Sequence, residues 1–438
     1  MDSFMTLRPV LLAISFVVTT IGAGMSAIRA DDWPQWRGPN RDGVWHESGI
    51  VKKFADKQLQ PLWRAPVGPG YSGPTVADGR VYVTDRLERK KGERIVCLDA
   101  KTGDTLWTRP YERRYSIGYD DGPRAAVTID SGRAYALGAM GDLHCLDAAK
   151  GDVLWKKDLL AEYKIRMPIW GITAAPIVEG NLLIVEVGGE GACIVAFDKV
   201  TGEERWKAFD DRTGYAAPIV IEQAGRRVLI CWTGDNIAAL DPANGELLWK
   251  IPFRPTQMVL NVATPVLHDD RLFFTAFYDG SLMARLDRDK LSAEVVWRRR
   301  GKSERNTDAL QSIISTPYFD GESVYGVDSY GELRCLDAKT GERIWESRDA
   351  VPRARWATIH FVKNGDRMFL FNDPGELIIA RLDREGFHEI SRTKIIEPTT
   401  GQLNDERGGV CWSHPAFANK CIFARNDKEI VCTNLAEK

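Results

Sequence analysis

Val96-Cys97-Leu98-Asp99-Ala100-Lys101-Thr102-Gly103-Asp104-Thr105-Leu106-Trp107 decides the fold, because the chain repeats it. Nearly the same string runs from His144 to Trp155, from Val195 to Trp206, from Ala238 to Trp249 and from Arg334 to Trp345. In all five copies Asp precedes Trp by eight residues and Gly follows the Asp by four. A sixth copy, Leu286-Asp287 to Trp297, carries two extra residues and lacks the Gly. A seventh, Leu382-Asp383 to Ile390, is one residue shorter and lacks the Trp.

Each position in the string has a physical task. The apolar residues before Asp form a strand that ends there. The Asp carboxylate accepts from the next backbone amides, and Gly supplies a positive φ four residues on. The chain then reverses into a second strand that ends in Trp, which makes a hairpin. Upstream of each hairpin lies another pair of short strands, as in Pro74 to Val83 and Ala175 to Ile184. Four antiparallel strands per unit of about 45 residues describe a propeller blade. A lone four-stranded sheet cannot bury both faces, whereas radial stacking can. The expected class is therefore all-β, an eight-bladed β-propeller of four-stranded antiparallel blades.

The count of eight rests on the chain ends. Upstream strand pairs begin near Pro74, Ala126, Pro176, Pro218, Pro265, Pro317, Thr358 and Pro415, but only seven hairpins follow them. The last unit stops at Cys432-Thr433-Asn434-Leu435, where its outer strand should start. Leu59–Val67 carries Trp63 in an outer-strand context with no hairpin before it. It is expected to complete the last blade and close the ring, which removes two free sheet edges.

The first thirty residues differ from the rest. An apolar run from Val10 to Gly24 follows Arg8 and precedes Arg29-Ala30-Asp31-Asp32. This pattern reads as a signal peptide and is short for a membrane span. The expected division is a signal peptide at 1–30, a lead-in arm at 31–58 and the propeller at 59–438, in a monomer that is periplasmic or secreted and has no stable membrane insertion. The net charge of −2 argues against a nucleic-acid partner. Eight cysteines in an exported chain usually suggest disulfides. Cys97, Cys145, Cys335 and Cys432, however, occupy one repeat position and should sit on separate blades as buried thiols.

The motif Asp-Ala-x-x-Gly-x-x-x-Trp, Asp99 to Trp107 and its copies, resembles the blade repeat of the quinoprotein-like (pyrroloquinoline-quinone repeat) propellers from about residue 59 to 435. Trp33-Pro34-Gln35-Trp36-Arg37-Gly38-Pro39 resembles the lead-in of exported members. The resemblance implies that the tryptophans dock between adjacent blades. It also implies one of two functions. One branch contains pyrroloquinoline-quinone-dependent alcohol and aldose dehydrogenases, which need a quinone, calcium and a catalytic base. The other is a non-catalytic branch that includes the barrel-assembly lipoprotein of the Bam complex. This chain lacks the adjacent Cys pair on which many dehydrogenases stack the quinone, and Ile251-Pro252-Phe253-Arg254-Pro255 stands where they place their catalytic Asp. The expectation is a binding or scaffold propeller without catalytic residues, metal or confident cofactor.

In a propeller, the loops that feed the innermost strands line a central funnel. Here they carry Tyr71, Tyr119, Arg124, Trp170, Arg212, Tyr215, Asn261, Gln311, Arg355, Trp356, Arg407, Trp412 and His414. Trp170, Trp356 and Trp412 fall outside the repeat position, so blade docking does not account for them. Aromatics with Arg suit a protein segment, a small molecule or a carbohydrate.

Overall fold

The repeat string folds as its residues dictate. In each regular copy the Asp carboxylate caps the turn: Asp99 accepts from the amides of Lys101 (2.8 Å) and Thr102 (2.9 Å), and Asp337 from those of Lys339 and Thr340 (both 3.0 Å). Gly103, Gly151, Gly202, Gly245 and Gly341 all take φ between 72° and 78°. The computed structural model describes residue 1 and residues 32–88, 91–119, 122–399 and 408–437. Nearly all of the segment read as a signal, together with Arg407, lies outside the described residues.

Among the described residues, eight four-stranded antiparallel sheets form the blades of a propeller. Blade 1 comprises Thr75–Ala77, Arg80–Arg86, Gly92–Asp99 and Thr105–Glu112, hydrogen-bonded in that order. Blades 2 to 7 repeat the pattern and begin at Thr128, Ile177, Ile219, Val266, Tyr318 and Ile359. The short first strands lie innermost; Thr75–Ala77, for example, contacts the first strands of both flanking blades. Blade 8 takes Ala416–Ala418, Cys421–Arg425 and Glu429–Asn434 from one end of the chain and Trp63–Pro66 from the other. The closing pair is in register Trp63↔Cys432 through Pro66↔Glu429, as the strand count required. One departure from the all-strand expectation is a short helix, Leu159–Tyr163, started by Asp158, whose carboxylate accepts from the Ala161 amide at 3.1 Å.

The repeat tryptophans join one blade to the next. The indole N–H of Trp63 donates to Ala100 O of blade 1 (3.0 Å), and that of Trp107 to Ala148 O of blade 2 (3.1 Å). Trp155, Trp206, Trp297 and Trp345 make the same step to Lys199, Pro242, Ala338 and Asp383. The repeat glycine has a second task at this seam. A Cβ on Gly103 would stand 2.7 Å from the Trp63 ring, and one on Gly151 2.5 Å from the Trp107 ring. On the strand beside the tryptophan sits a small or flexible residue: Cys432, Cys97, Cys145 and Cys335 pair with Trp63, Trp107, Trp155 and Trp345. All eight cysteines are buried free thiols.

The two degenerate copies are compensated. Trp249 faces the hairpin that lacks the glycine, and its N–H goes to Gln223 Oε1 at 2.9 Å instead. The Gln223 amide in turn donates to Ser292 O (2.6 Å) and Lys290 O (3.2 Å) of that irregular hairpin. In blade 7 the register puts Ser391, opposite Ile379, where the docking Trp stands in the other blades, and Ile390, aligned with the Trp by sequence spacing, is the exposed bulge residue before it. Its neighbour, blade 8, has no third-to-fourth-strand hairpin to receive a Trp, because its fourth strand comes from the other chain end. The arm covers this seam: the amides of Phe54 and Leu59 donate to Ser391 Oγ (3.0 Å) and Thr393 Oγ1 (3.1 Å), and Val51 N to Leu435 O (2.8 Å).

Two pairs of substitutions measure these seams. Trp63→Ala should lower unfolding free energy by about 3–5 kcal/mol in a denaturant titration. Leu62→Ala, at a neighbouring position 61% exposed, should stay within about 0.5 kcal/mol; equal effects would show that closure contributes nothing. Gly79 and Gly103 share a positive φ, 71° and 78°, but nothing lies within 4 Å of a Cβ at Gly79. Gly79→Ala should therefore cost only the left-handed backbone penalty of about 1–2 kcal/mol. Gly103→Ala should cost about 1–3 kcal/mol more, through overpacking against Trp63.

Candidate functional site

Eight connections lead from the outer strand of one blade to the inner strand of the next and converge at one mouth of the axis. They enclose a cavity of about 210 Å³. The sequence-selected residues Tyr71, Tyr119, Arg124, Trp170, Tyr215, Trp356, Trp412 and His414 all line it. Tyr119, Trp356 and Trp412 meet edge-on, with ring centroids 5.9, 6.3 and 6.4 Å apart. Trp170 packs on Tyr215 at 5.2 Å. Two of these aromatics sit on left-handed backbone: Tyr119 at φ 51° and Trp356 at φ 65°. Bulky residues rarely accept that conformation, and such strain collects at functional sites. The Trp356 amide holds the turn by donating to Ser329 O at 2.9 Å.

The floor comes from the lead-in arm. Residue 33 joins the innermost strand of blade 1 through two backbone hydrogen bonds, Trp33 N to Val76 O (2.8 Å) and Val76 N to Trp33 O (2.9 Å). The chain then crosses the axis. Arg41, only 5% exposed, donates to Ala175 O and Pro176 O of blade 3 and to Pro218 O of blade 4. Further on, Trp45 N and Lys363 O bond at 2.7 Å on blade 7. Between these anchors Trp36 enters the channel, packed among Ala126, Ala175 and Ala217. Its N–H donates to Thr264 Oγ1 at 2.8 Å, and its ring meets that of His414 edge-on at 4.5 Å.

The site is electrically quiet. Burial depresses the His414 and His360 pKa values to about 3 and about 4, so both rings are neutral at physiological pH. Each faces a backbone carbonyl, which accepts only: Pro415 O lies 3.4 Å from His414 Nδ1 and Trp412 O 2.9 Å from His360 Nε2. At 2.9 Å the Trp412 carbonyl places the His360 proton on Nε2. Arg124 stacks over Tyr71 at 4.6 Å and turns its N–H groups to Gly118 O (2.9 Å), Gly122 O (3.0 Å) and Tyr119 O.

Four sequence-selected residues are placed elsewhere. Arg212 pairs with Asp235 at 2.5 Å on the exposed surface. Asn261 donates to Trp232 O and Thr233 O, both at 2.8 Å, and Gln311 donates to Phe277 O at 2.7 Å. Arg355 stands behind the cavity wall, 4.4 Å over the Trp356 ring and 2.8 Å from Glu304. Arg407 lies outside the described residues. Sequence reasoning missed Trp36, Tyr278, His360, Leu260, Ile313 and Ile314. Trp36 was visible in the Trp33-Pro34-Gln35-Trp36 motif, but nothing local indicated that it reaches the axis.

The dehydrogenase cofactor does not fit this lining. The quinone carries three carboxylates and calcium needs several oxygen ligands. Among the described residues the cavity lining holds no Asp, Glu, Asn, Gln or Lys, and its single Arg is turned to carbonyls. The described His/Asp/Glu grouping with metal-like proximity, Asp383, Glu385 and His388, is on the outer hairpin of blade 7. There Asp383 serves as the turn-capping repeat residue, accepting from Glu385 N (2.9 Å) and Gly386 N (3.1 Å).

Comparison with known proteins agrees with the repeat. The family model described as outer membrane protein assembly factor BamB matches residues 47–117, 91–347 and 288–438. BamB of Yersinia pestis is 24% identical over 210 residues, covering 45% of this chain and 48% of that protein. BamB of Burkholderia pseudomallei is 25% identical over 299 residues, covering 66% and 59%. In both, the chain spans less than two thirds of the relative's own length. Among solved structures, BamB from Moraxella catarrhalis superposes with a TM-score of 0.59 at 17% identity, over 87% of this chain and 98% of the other. A quinohemoprotein alcohol dehydrogenase from Comamonas testosteroni gives 0.64 at 15% identity, over 94% and 82%. At these identities the superpositions show a shared fold and do not separate the two branches. The family matches do separate them: the chain belongs to the pyrroloquinoline-quinone-repeat propeller family described as outer membrane protein assembly factor BamB.

Proposed function

We propose that this protein is an exported, non-catalytic scaffold that works on the periplasmic side in outer membrane protein assembly. In this reading residues 1–30 are the signal peptide, residues 31–58 the lead-in arm and residues 59–438 the propeller. The mature protein acts as a monomer and binds protein partners, and its axial cavity is a binding site as well. The observation that carries the reading is the BamB family match from residue 47 to 438, around the whole ring. The cavity chemistry agrees with it. His360 and His414 are buried and neutral, Arg124 is tied to carbonyls, and among the described lining residues no carboxylate stands beside them to complete an acid–base pair.

The test has a cellular and a biochemical arm. In its own host, tagged protein should copurify with the outer-membrane assembly machinery, and its removal should lower the level of outer-membrane β-barrel proteins. The purified protein, supplied with pyrroloquinoline quinone and calcium, should give no alcohol- or aldose-dependent dye reduction. Turnover in that assay, or unchanged β-barrel protein levels without the protein, would overturn the scaffold reading.

A further inference from the structure

We propose that the mouth-side face of blade 6 is a docking shelf for an acidic polypeptide segment, whose carboxylates are received by Arg305 and Arg353. The proposal rests on the reading that the protein binds protein partners, and it adds the face and the charge that one of them uses.

Three pieces of chain build the shelf. Residues 300–317 lead from blade 5 to blade 6, residues 348–358 lead from blade 6 to blade 7, and the Asp328–Glu332 turn of blade 6 lies between them. Backbone bonds tie the turn to the second connection: Trp356 N donates to Ser329 O at 2.9 Å and Ala354 N to Tyr330 O at 3.2 Å. Side chains tie it to the first. Thr307 Oγ1 donates to Asp328 at 2.5 Å, and Arg334, only 4% exposed, donates to Thr307 Oγ1 at 2.8 Å and to Ala309 O at 3.0 Å. Together they enclose a depression of about 180 Å³, lined mainly by charged side chains.

Those charges do not cancel. Asp328 pairs with Arg334 at 3.0 Å, Glu332 with Arg348 at 3.1 Å, and Glu346 with both Arg334 and Arg343. One carboxylate remains, Glu304, and three guanidiniums gather round it and Tyr330. Arg355 takes Glu304 at 2.8 Å, and the Tyr330 hydroxyl donates to it at 2.6 Å. Arg305 and Arg353 stand 5.8 and 6.0 Å from the centre of the Tyr330 ring, both exposed. Arg305 reaches the Tyr330 hydroxyl at 3.3 Å, and Arg355 is near enough to oppose its charge. Neither Arg305 nor Arg353 has an ion pair among the described residues.

Like charges held together on fixed backbone repel one another. An arriving carboxylate relieves that repulsion, and each guanidinium offers it two parallel donors. Because the loops are tied before contact, little order is lost on binding. The shape selects a polypeptide over a lipid surface. Anionic membranes recruit clusters of about four to eight exposed cations, whereas the shelf offers two at the edge of a depression, among charges already paired. Arg355 also packs 4.4 Å over the Trp356 ring, which lines the axial cavity, so a segment on the shelf stands beside the cavity wall.

The test uses the full chain without its leader. In a titration followed by fluorescence anisotropy, a labelled peptide of alternating Glu and Ser should bind, its Lys and Ser counterpart should not, and added salt should weaken the complex. Arg305→Glu with Arg353→Glu should weaken it at least about tenfold, with the melting temperature unchanged because both side chains are exposed. Lys101→Glu with Lys150→Glu makes the same change of net charge on exposed turns at the opposite end of the blades. That pair should leave binding within about twofold; an equal loss there would reduce the effect to net charge and overturn the shelf. Arg305→Gln with Arg353→Gln adds no negative charge and should also weaken binding, by a smaller factor. Full retention in that variant would assign the loss in the first to repulsion alone and overturn the proposal. So would failure of the acidic peptide to bind the unsubstituted protein, or capture by phosphatidylglycerol vesicles in place of the peptide. Unchanged copurification of the Arg305→Glu, Arg353→Glu protein with the assembly machinery would put the docking surface elsewhere, overturning the proposal while leaving the scaffold reading intact.

Discussion

An indole N–H donated across a blade boundary is the interaction on which this ring depends. A four-stranded blade has two apolar faces and too little chain to cover either, so each must be buried on a neighbour. The tryptophan buries its ring in that seam and fixes register by bonding a carbonyl of the next hairpin. The repeat glycine then follows from the tryptophan, since its Cβ would fall inside the ring of the preceding blade. Asp completes the unit by holding the turn that presents both carbonyl and glycine. The repeat is therefore conserved within the chain as one mechanical part, and where one piece is missing another element replaces it. Gln223 does so for Trp249.

The lead-in arm unites closure with the site. It covers the one seam that has no docking tryptophan, through Ser391 and Thr393. It then spans the axis, with Arg41 bonded to carbonyls of blades 3 and 4, and places Trp36 in the channel. Burial of Arg41 lowers its pKa to about 9, and three carbonyl acceptors offset the loss of water. The same segment that finishes the fold thus converts an open channel into a floored cup. In this way the arm makes the difference between a channel and a cavity able to hold a guest.

The cup departs from the chemistry of the dehydrogenase branch while keeping its fold. A quinone with calcium asks for cations, carboxylates and amides. The described lining here offers aromatic rings, aliphatic side chains and two neutral imidazoles. The Trp412 carbonyl fixes the tautomer of His360, so its donor and acceptor are set in advance. Pre-set polar groups on a rigid β framework favour recognition over proton transfer.

The sequence alone determined the parts that recur. Blade class, blade number, closure through Trp63 and the cysteine positions followed from the spacing of Asp, Gly and Trp, because a periodic chain states its local structure eight times over. It also selected eight of the cavity aromatics and polar residues, since Trp170, Trp356 and Trp412 fell outside the docking position and needed another task. Tertiary structure decided what the loops do. Loop backbone leaves carbonyls without strand partners, and these claimed the donors of Asn261, Gln311 and Arg124. A surface carboxylate claimed Arg212. Ile313, Ile314 and Leu260 carry no chemical signature, and Trp36 stands more than two hundred residues from its partner Thr264. Which of these residues meet depends on how eight unlike loops and one arm converge on the axis. A repeat cannot specify that, because each loop occurs only once.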